Sequence, residues 1–365
     1  MEIEAGLVLR QGTEVEVTKL ILDEPLDNEV LVKMVSAGIC RTDIDVMEQY
    51  IETPLPAVLG HEGAGVVVKV GKDVTKVKEG DHVVLSLSSC GQCEKCKSGL
   101  PSYCIKHVAL NFGGSRVDGS VCLHCSDGNA VHSHFFGQSS HSSYSVVNET
   151  SVIKVSKNAD LRYLAPFACG IMTGAGGILN TLKPEAGSSI VIYGMGAVGL
   201  SAVMAAKIAG CSTVIAVDIS ENRLHLALEM GATHTFNGND KALQEQISAV
   251  TNGGADYAFE SSGVKKVMNS ALDTIKENGT MILTGVLPQG ETVAFDAWNL
   301  VRGRTIKGSI MGDCVPEIFI PKLISFYEEG RFPVDKMMKF FSLKDFNAAI
   351  KESLSGETIK AVITF

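Results

Sequence analysis

Tryptophan occurs once in the 365 residues, aromatic side chains make up only 6%, and the chain carries little positive charge. No apolar run approaches the roughly 18 residues that suggest a membrane span. Against 41 Asp and Glu there are 32 Lys and Arg, and the net charge of −9 removes the basic footprint expected of a nucleic-acid or acidic-membrane binder. The segment MEIEAGLVLRQGTEVEV is acidic and mixed, unlike a signal or transit peptide. Ten cysteines in a chain this long do not make a disulfide-dense scaffold. Clustered thiols without a secretion signal favour metal ligation in a reducing compartment. What is present is ordinary for a globular protein, with 45% apolar and 20% charged residues. The expectation is a soluble cytoplasmic chain, long enough for two domains and probing neither nucleic acid nor membrane.

The first 165 or so residues read as short strands, with β-branched runs at 30–35, 64–70 and 82–85 bounded by Gly, Asp and Lys turns. Residues 105–143, rich in Gly, Ser, His and Asn, read as a long ordered loop region. Near residue 170 the pattern changes to strands alternating with helices. Strands are expected at 189–193, 213–218, 233–236, 256–259, 280–284 and 305–309, with helices over 200–209 and 222–230. Continuously apolar strands in such alternation indicate a parallel sheet covered on both faces, and six of them fit the doubly wound dinucleotide fold. The class is therefore α/β. Helices are expected at 317–330 and 343–354, and residues 360–365 read as a strand that rejoins the first lobe. The expected boundaries are a first domain over 1–170, completed by 313–365, and a second over 171–312.

Two motifs stand out. Cys90, Cys93, Cys96 and Cys104 form C-x2-C-x2-C-x7-C within fifteen residues. Four thiolates so close can converge on one tetrahedral Zn²⁺, and they fill its coordination sphere, so the site is expected to brace a lobe rather than to react. Gly194-Met-Gly196-Ala-Val-Gly199 is G-x-G-x-x-G, with an apolar strand before it, an apolar helix after it and Asp218 ending the next strand. Gly194 makes the turn, Gly196 lets the backbone approach a pyrophosphate, and Gly199 lets helix and sheet pack. The helix N-terminus favours phosphate, and Asp218 favours the ribose hydroxyls of NAD over the 2′-phosphate of NADP.

Cys40, His61 and Cys169 are scattered, and singly each reads equally well as a core thiol or a satisfied imidazole. Together they would make a Cys₂His set with the fourth zinc position open for catalysis. Gly60-His-Glu-Gly-Ala-Gly65, with Gly71 and Val74, resembles the zinc signature of medium-chain alcohol dehydrogenases. The cysteine quartet, the glycine turn and Asp218 match that family in order and separation, and the resemblance covers essentially the whole chain. It implies a GroES-like, mostly-β catalytic domain beside the doubly wound Rossmann domain. It also implies two Zn²⁺ and NAD per chain, a homodimer or homotetramer, and catalytic zinc on Cys40, His61 and Cys169, with Glu62 as a nearby or alternate ligand. Asp43 would orient His61.

The resemblance extends to single positions. Arg41 and Lys360 look like residues that contact the cofactor pyrophosphate, alongside Val198 in the glycine turn. Arg223 resembles the base beside the adenosine ribose, Thr173 a nicotinamide contact, and Ile51, Phe135 and Phe136 substrate-pocket positions. Thr42 resembles the hydroxyl that takes the alcohol proton. The family's relay then ends at a histidine where this chain has Asp45, a weak acceptor at neutral pH given an ordinary pKa near 3.9. Cys122, Cys125, His132 and His134 could be drawn as a third metal site but match a substrate loop that binds none, and Cys211 and Cys314 read as packing residues. The expected activity is reversible, NAD-linked oxidation of a primary alcohol to its aldehyde. The tail Cys169-Gly-Ile-Met-Thr-Gly and Gly308-Ser-Ile-Met-Gly look closest to bacterial aryl-alcohol (benzyl alcohol) dehydrogenases. Alternatives are an aliphatic or a glutathione-dependent formaldehyde dehydrogenase, and, in another class, a non-enzymatic zinc- and nucleotide-binding protein.

Overall fold

The computed structural model describes every residue from Met1 to Phe365. The chain divides into two units, Met1–Cys169 with Val315–Ile324 and Val334–Phe365, and Gly170–Cys314 with Ser325–Pro333. Residues 325–333 thus lie with the second unit, inside the stretch 313–365 that the sequence assigns wholly to the first. No helix is long and apolar enough to cross a membrane.

The first unit is organised around the strand Glu29–Gly38, whose residues are almost all buried because both of its faces are covered. It pairs antiparallel with Gly63–Val70, Tyr144–Asn148 and the C-terminal strand Lys360–Thr364. The C-terminus therefore rejoins this unit as expected, with Val362 opposite Gly38. Gly65 is a glycine for a reason: a Cβ there would fall 2.3 Å from the Lys33 carbonyl of the neighbouring strand. The sheet continues through His82–Leu85 to Val152–Val155, over a core that includes Val30, Val32, Met34, Val83 and Leu85.

A second sheet runs in the order Ala57–Val58, Glu2–Val8, Glu16–Leu22, Leu123–His124, Ala130–Val131. Its last two strands come from the segment read as a loop, which also carries the helix His107–Phe112. Residues 133–142 are all buried despite their polar composition. Their polar groups are satisfied internally: Ser139 Oγ donates to the Val58 carbonyl at 2.6 Å, and Gln138 Nε2 to the His61 and Ser86 carbonyls at 3.0 and 3.1 Å. Composition marked a surface, whereas hydrogen bonding made an interior.

The second unit is a six-stranded, all-parallel sheet. Its order is His234–Asn237, Thr213–Asp218, Ser189–Tyr193, Ala255–Glu260, Ile275–Leu283, Thr305–Gly308. Numbered along the chain this is 3-2-1-4-5-6, the doubly wound order, whose topological switch falls between Ser189–Tyr193 and Ala255–Glu260. The helix Ala197–Ala209 is apolar nearly all round because it is packed on more than one side. Gly174 of the helix Gly170–Gly176 lets that neighbour approach, since a Cβ there would sit 2.0 Å from the Val198 carbonyl.

Candidate metal centres and dinucleotide site

Cys40, His61, Glu62 and Cys169 come together in the first unit, their ligand atoms all within 4.8 Å of one another. Local structure explains the convergence. Cys40 is the N-cap of the helix Arg41–Met47, and Asp43 in its first turn accepts the Cys40 backbone N–H at 2.9 Å. The other oxygen of Asp43 accepts from His61 Nδ1 at 2.9 Å and from the Gly60 N–H at 3.2 Å. Gly60 turns the chain at φ +95°, where a Cβ would meet the His141 backbone nitrogen at 2.5 Å. With Nδ1 donating to Asp43, Nε2 is left as the basic nitrogen. It is buried and has no hydrogen-bond partner. An orphaned acceptor beside two thiols is what a metal ligand looks like without its metal, so the donor set fits zinc.

The buried groups of this cluster act strongly on one another. Burial pushes Asp43 up, but His61, His141 and the Cys40 N–H outweigh it and hold the carboxyl at about 2. Burial pushes His61 down, but Asp43 and Cys40 raise it well above its ordinary range. A hydrogen bond from Cys169 draws the Cys40 thiol well down, while the same contact and burial push Cys169 up. Burial pushes Glu62 up to about 7, against the pull of Lys360.

Lys360 has a partner within its own unit that no sequence signal gives. It is buried in the first unit, its ammonium 2.6 Å from Glu62 Oε2 and donating to the Ile39 carbonyl at 3.0 Å. Phe135 and Phe136, which resemble substrate-pocket positions, are both buried against His61, Phe136 stacked at 4.6 Å and Phe135 edge-on at 5.6 Å. Phe112, which carries no sequence signal, closes the cluster at 5.8 and 5.1 Å from those two rings. Thr42 lies with its hydroxyl 3.8 Å from Cys40 Sγ. Asp45 is not a free base: its Oδ1 accepts from Arg41 Nε at 2.8 Å, one helical turn back, while the rest of the Arg41 side chain stays exposed. Ile51 is half-buried just after this helix, its N–H 3.3 Å from the Asp45 carbonyl.

Cys90, Cys93, Cys96 and Cys104 form the second group, again within 4.8 Å. Their closest sulfur pairs are 3.5, 3.9 and 4.0 Å apart. A disulfide needs about 2.05 Å, whereas a tetrahedron of sulfurs about 2.3 Å from zinc has edges near 3.8 Å. Backbone N–H groups of Cys90, Cys93 and Lys106 donate to these sulfurs at 3.4 Å, as befits thiolates. Cys122, Cys125, His132 and His134 form no such group; His132 bonds the Gly114 carbonyl and His134 bonds Glu29.

In the second unit the three glycines play three separate parts. Gly194 sits at φ +86°, a Cβ on Gly199 would strike the Gly194 carbonyl at 1.8 Å, and a Cβ on Gly196 would meet nothing. Gly196 is the N-cap of Ala197–Ala209, so that open space lies at a helix N-terminus, with Val198 half-buried beside it. Asp218 ends its strand and accepts the Met195 N–H at 2.6 Å and the Ser220 N–H at 2.9 Å, tying the glycine turn to the next strand's tip. Arg223 lies on the helix Glu221–Met230, its Nε buried and unpartnered, and Thr173 is half-buried on Gly170–Gly176. These residues fit a dinucleotide.

A group of four cysteines and a group of two cysteines, a histidine and a glutamate in one unit, with a doubly wound sheet in the other, fit the class of two-unit, metal-assisted oxidoreductases. Comparison with known proteins gives the family. Residues 26–157 match the alcohol dehydrogenase GroES-like domain and residues 197–329 the zinc-binding dehydrogenase domain. The geraniol dehydrogenase of Castellaniella defragrans is 38% identical over 98% of this chain and 96% of its own length. The crystal structure of benzyl alcohol dehydrogenase from Acinetobacter calcoaceticus is 40% identical, covers 100% of this chain and 99% of its own, and superposes with a TM-score of 0.96. An alcohol dehydrogenase zinc-binding domain protein from Burkholderia ambifaria is 44% identical at the same coverage, with a TM-score of 0.98. The chain belongs to the zinc-dependent medium-chain alcohol dehydrogenases.

One buried network underlies this site and has no sequence signal. Glu29 accepts from Arg116 Nε and Nη2 at 2.8 and 3.0 Å and from His134 Nε2 at 3.0 Å, directly before the Phe135–Phe136 pair. Burial pushes Glu29 up, yet its hydrogen bonds from His134 and Arg116 hold it at about 2, below its ordinary 4.5. Burial pushes His134 down, but Cys122 and Glu29 raise it to about 9 from 6.5. A depressed acid stabilises the fold above its ordinary pKa, and a raised base does so below its own. The network's contribution is therefore complete between about pH 4.5 and 6.5 and fades towards 2 and towards 9. Glu29→Gln should cost roughly 2–4 kcal/mol in that window and less at either extreme, read by denaturant titration across pH. A pH-independent loss would refute this account.

Proposed function

We propose that this chain is an NAD-dependent dehydrogenase that reversibly oxidises primary alcohols of the benzyl alcohol kind to aldehydes. The observation that carries the reading is the convergence of Cys40, His61 and Cys169 around a buried, unpartnered His61 Nε2. In this reading those three residues hold the catalytic zinc with Glu62 close by, and Cys90, Cys93, Cys96 and Cys104 hold a structural one. When bound, the first zinc supplies the Lewis acidity that lowers an alcohol's pKa, and NAD supplies the carbon that receives the hydride.

The chain's own residues do the rest. Asp43 keeps His61 in the tautomer that leaves Nε2 free, and the Phe112, Phe135 and Phe136 rings keep water from the back of the imidazole. Thr42 Oγ1, close against Cys40, takes the alcohol proton and passes its own onward. Gly194, Gly196, Val198 and Gly199 seat the pyrophosphate at the helix N-terminus. Thr173 meets the nicotinamide. Asp218 and Arg223 receive the adenosine ribose, and the Asp218 carboxylate repels a 2′-phosphate, which favours NAD over NADP.

The substrate class rests on the relatives. One is named for benzyl alcohol and one for geraniol, and in both alcohols the hydroxyl-bearing carbon adjoins an unsaturated carbon. The geraniol relative widens the reading from benzylic to allylic alcohols.

Steady-state kinetics should give higher kcat/KM for benzyl alcohol and geraniol than for ethanol, and for NAD than for NADP; a preference for ethanol would overturn the substrate class. Metal analysis should find two zinc ions per chain in the wild type and one in Cys93→Ser, with Tm lower by about 5 °C or more in the variant. An unchanged metal content would remove the quartet from the reading. Cys40→Ser should abolish turnover, whereas Asp45→Asn should lower kcat at pH 7 by less than about tenfold, because its carboxylate is already engaged by Arg41. A loss as large as that of Cys40→Ser would make Asp45 the relay base.

A further inference from the structure

Glu62 poses a problem that the zinc reading leaves unsolved. Its carboxylate lies within the same 4.8 Å group as Cys40, His61 and Cys169, fully buried, and carboxylate oxygen is a good zinc ligand. If it bound, the set would have four protein ligands and no position for an alcohol. Some other contact must hold it off.

We infer that Lys360 is a positioning residue that parks Glu62 away from the open metal position. The inference rests on the zinc reading above. Two observations carry it. Lys360 Nζ is 2.6 Å from Glu62 Oε2, and its second bond, to the Ile39 carbonyl at 3.0 Å, anchors it to the residue before Cys40. The ammonium has little freedom, because the Ile39 N–H donates to the Ala361 carbonyl at 3.0 Å and Lys360–Thr364 is zipped to Glu29–Gly38 from Val362 onward. The parking place itself is made by a missing side chain. A Cβ on Gly38 would fall 2.0 Å from Glu62 Oε2, so only glycine there leaves room for the carboxylate in this position. The last strand of the chain thus acts on the reaction at a distance of one contact, and two residues from opposite ends of the sequence define where Glu62 rests.

A buried carboxylate stripped of its ammonium partner is an uncompensated charge, and the metal is then the cation within reach. Removing Lys360 should send Glu62 to the metal and close the open position. Removing Glu62 as well should open it again.

The test uses the full chain with cobalt in place of zinc, read by its visible absorption with and without imidazole as an added ligand, together with kcat on benzyl alcohol for the zinc form. Lys360→Met should change the cobalt spectrum, abolish its response to imidazole and lower kcat on the order of 10–100-fold. Glu62→Gln added to Lys360→Met should restore the imidazole response and recover most of the kcat. Gly38→Ala, which displaces the carboxylate while leaving Lys360 in place, should reproduce the spectral change and guards against a folding defect in the lysine variant. A Lys360→Met spectrum that still responds to imidazole, or a double variant as impaired as the single one, would overturn the inference while leaving the dehydrogenase reading intact. A wild-type chain that takes up no metal on Cys40, His61 and Cys169 would overturn both.

Discussion

The Asp43–His61 hydrogen bond is the contact on which the first unit's chemistry depends. One oxygen of a buried carboxylate caps the helix that begins after Cys40; the other fixes the imidazole and the Gly60 turn. Two residues distant in sequence, Cys40 and His61, are thereby referred to one atom group, and the tautomer that leaves Nε2 free follows from it. A carboxylate buried so completely would be costly alone. It is tolerated because every bond it makes is to a donor that needs it, and so its position is strongly determined.

Around that pin the polar interior is unusually full. Gln138 bonds the His61 carbonyl, Ser139 the Val58 carbonyl, and Glu29 bridges Arg116 and His134 just before the two phenylalanines that back the imidazole. A network of this kind contributes most when every member is satisfied, and it sets the geometry of a site more sharply than apolar packing does. The second unit solves a simpler problem by subtraction. Three glycines and one aspartate shape a turn that presents backbone and open space to a ligand, with almost no side chain involved.

Much of this is legible in the sequence. The parallel strands of a doubly wound sheet followed from apolar runs alternating with helices, and the cysteine quartet and glycine turn from spacing, because both motifs are local and their partners lie within a few residues. What was not legible shares one cause. Residues 105–143 looked like a loop because composition reports polarity, not whether that polarity is satisfied inside. The ion pairs of Lys360 and Asp45 were not legible because a charge in sequence does not show its counter-charge: Glu62 lies 298 positions before Lys360, and Arg41 sits on the same helix as Asp45. Phe112 had no signal at all, since an aromatic residue on a short helix is ordinary until its neighbours are known.

The sequence by itself determined the class of fold, the cysteine quartet, the glycine turn with its acidic partner, and through them the family. These rest on short-range periodicity and spacing, which the chain carries locally. Tertiary structure alone decided how Cys40, His61 and Cys169 meet, which nitrogen of His61 is free, and that Lys360 and Gly38 hold Glu62 in place. Those are contacts between residues tens to hundreds of positions apart, and only the folding of one strand against another, driven by burial and constrained by hydrogen bonding, brings them within reach.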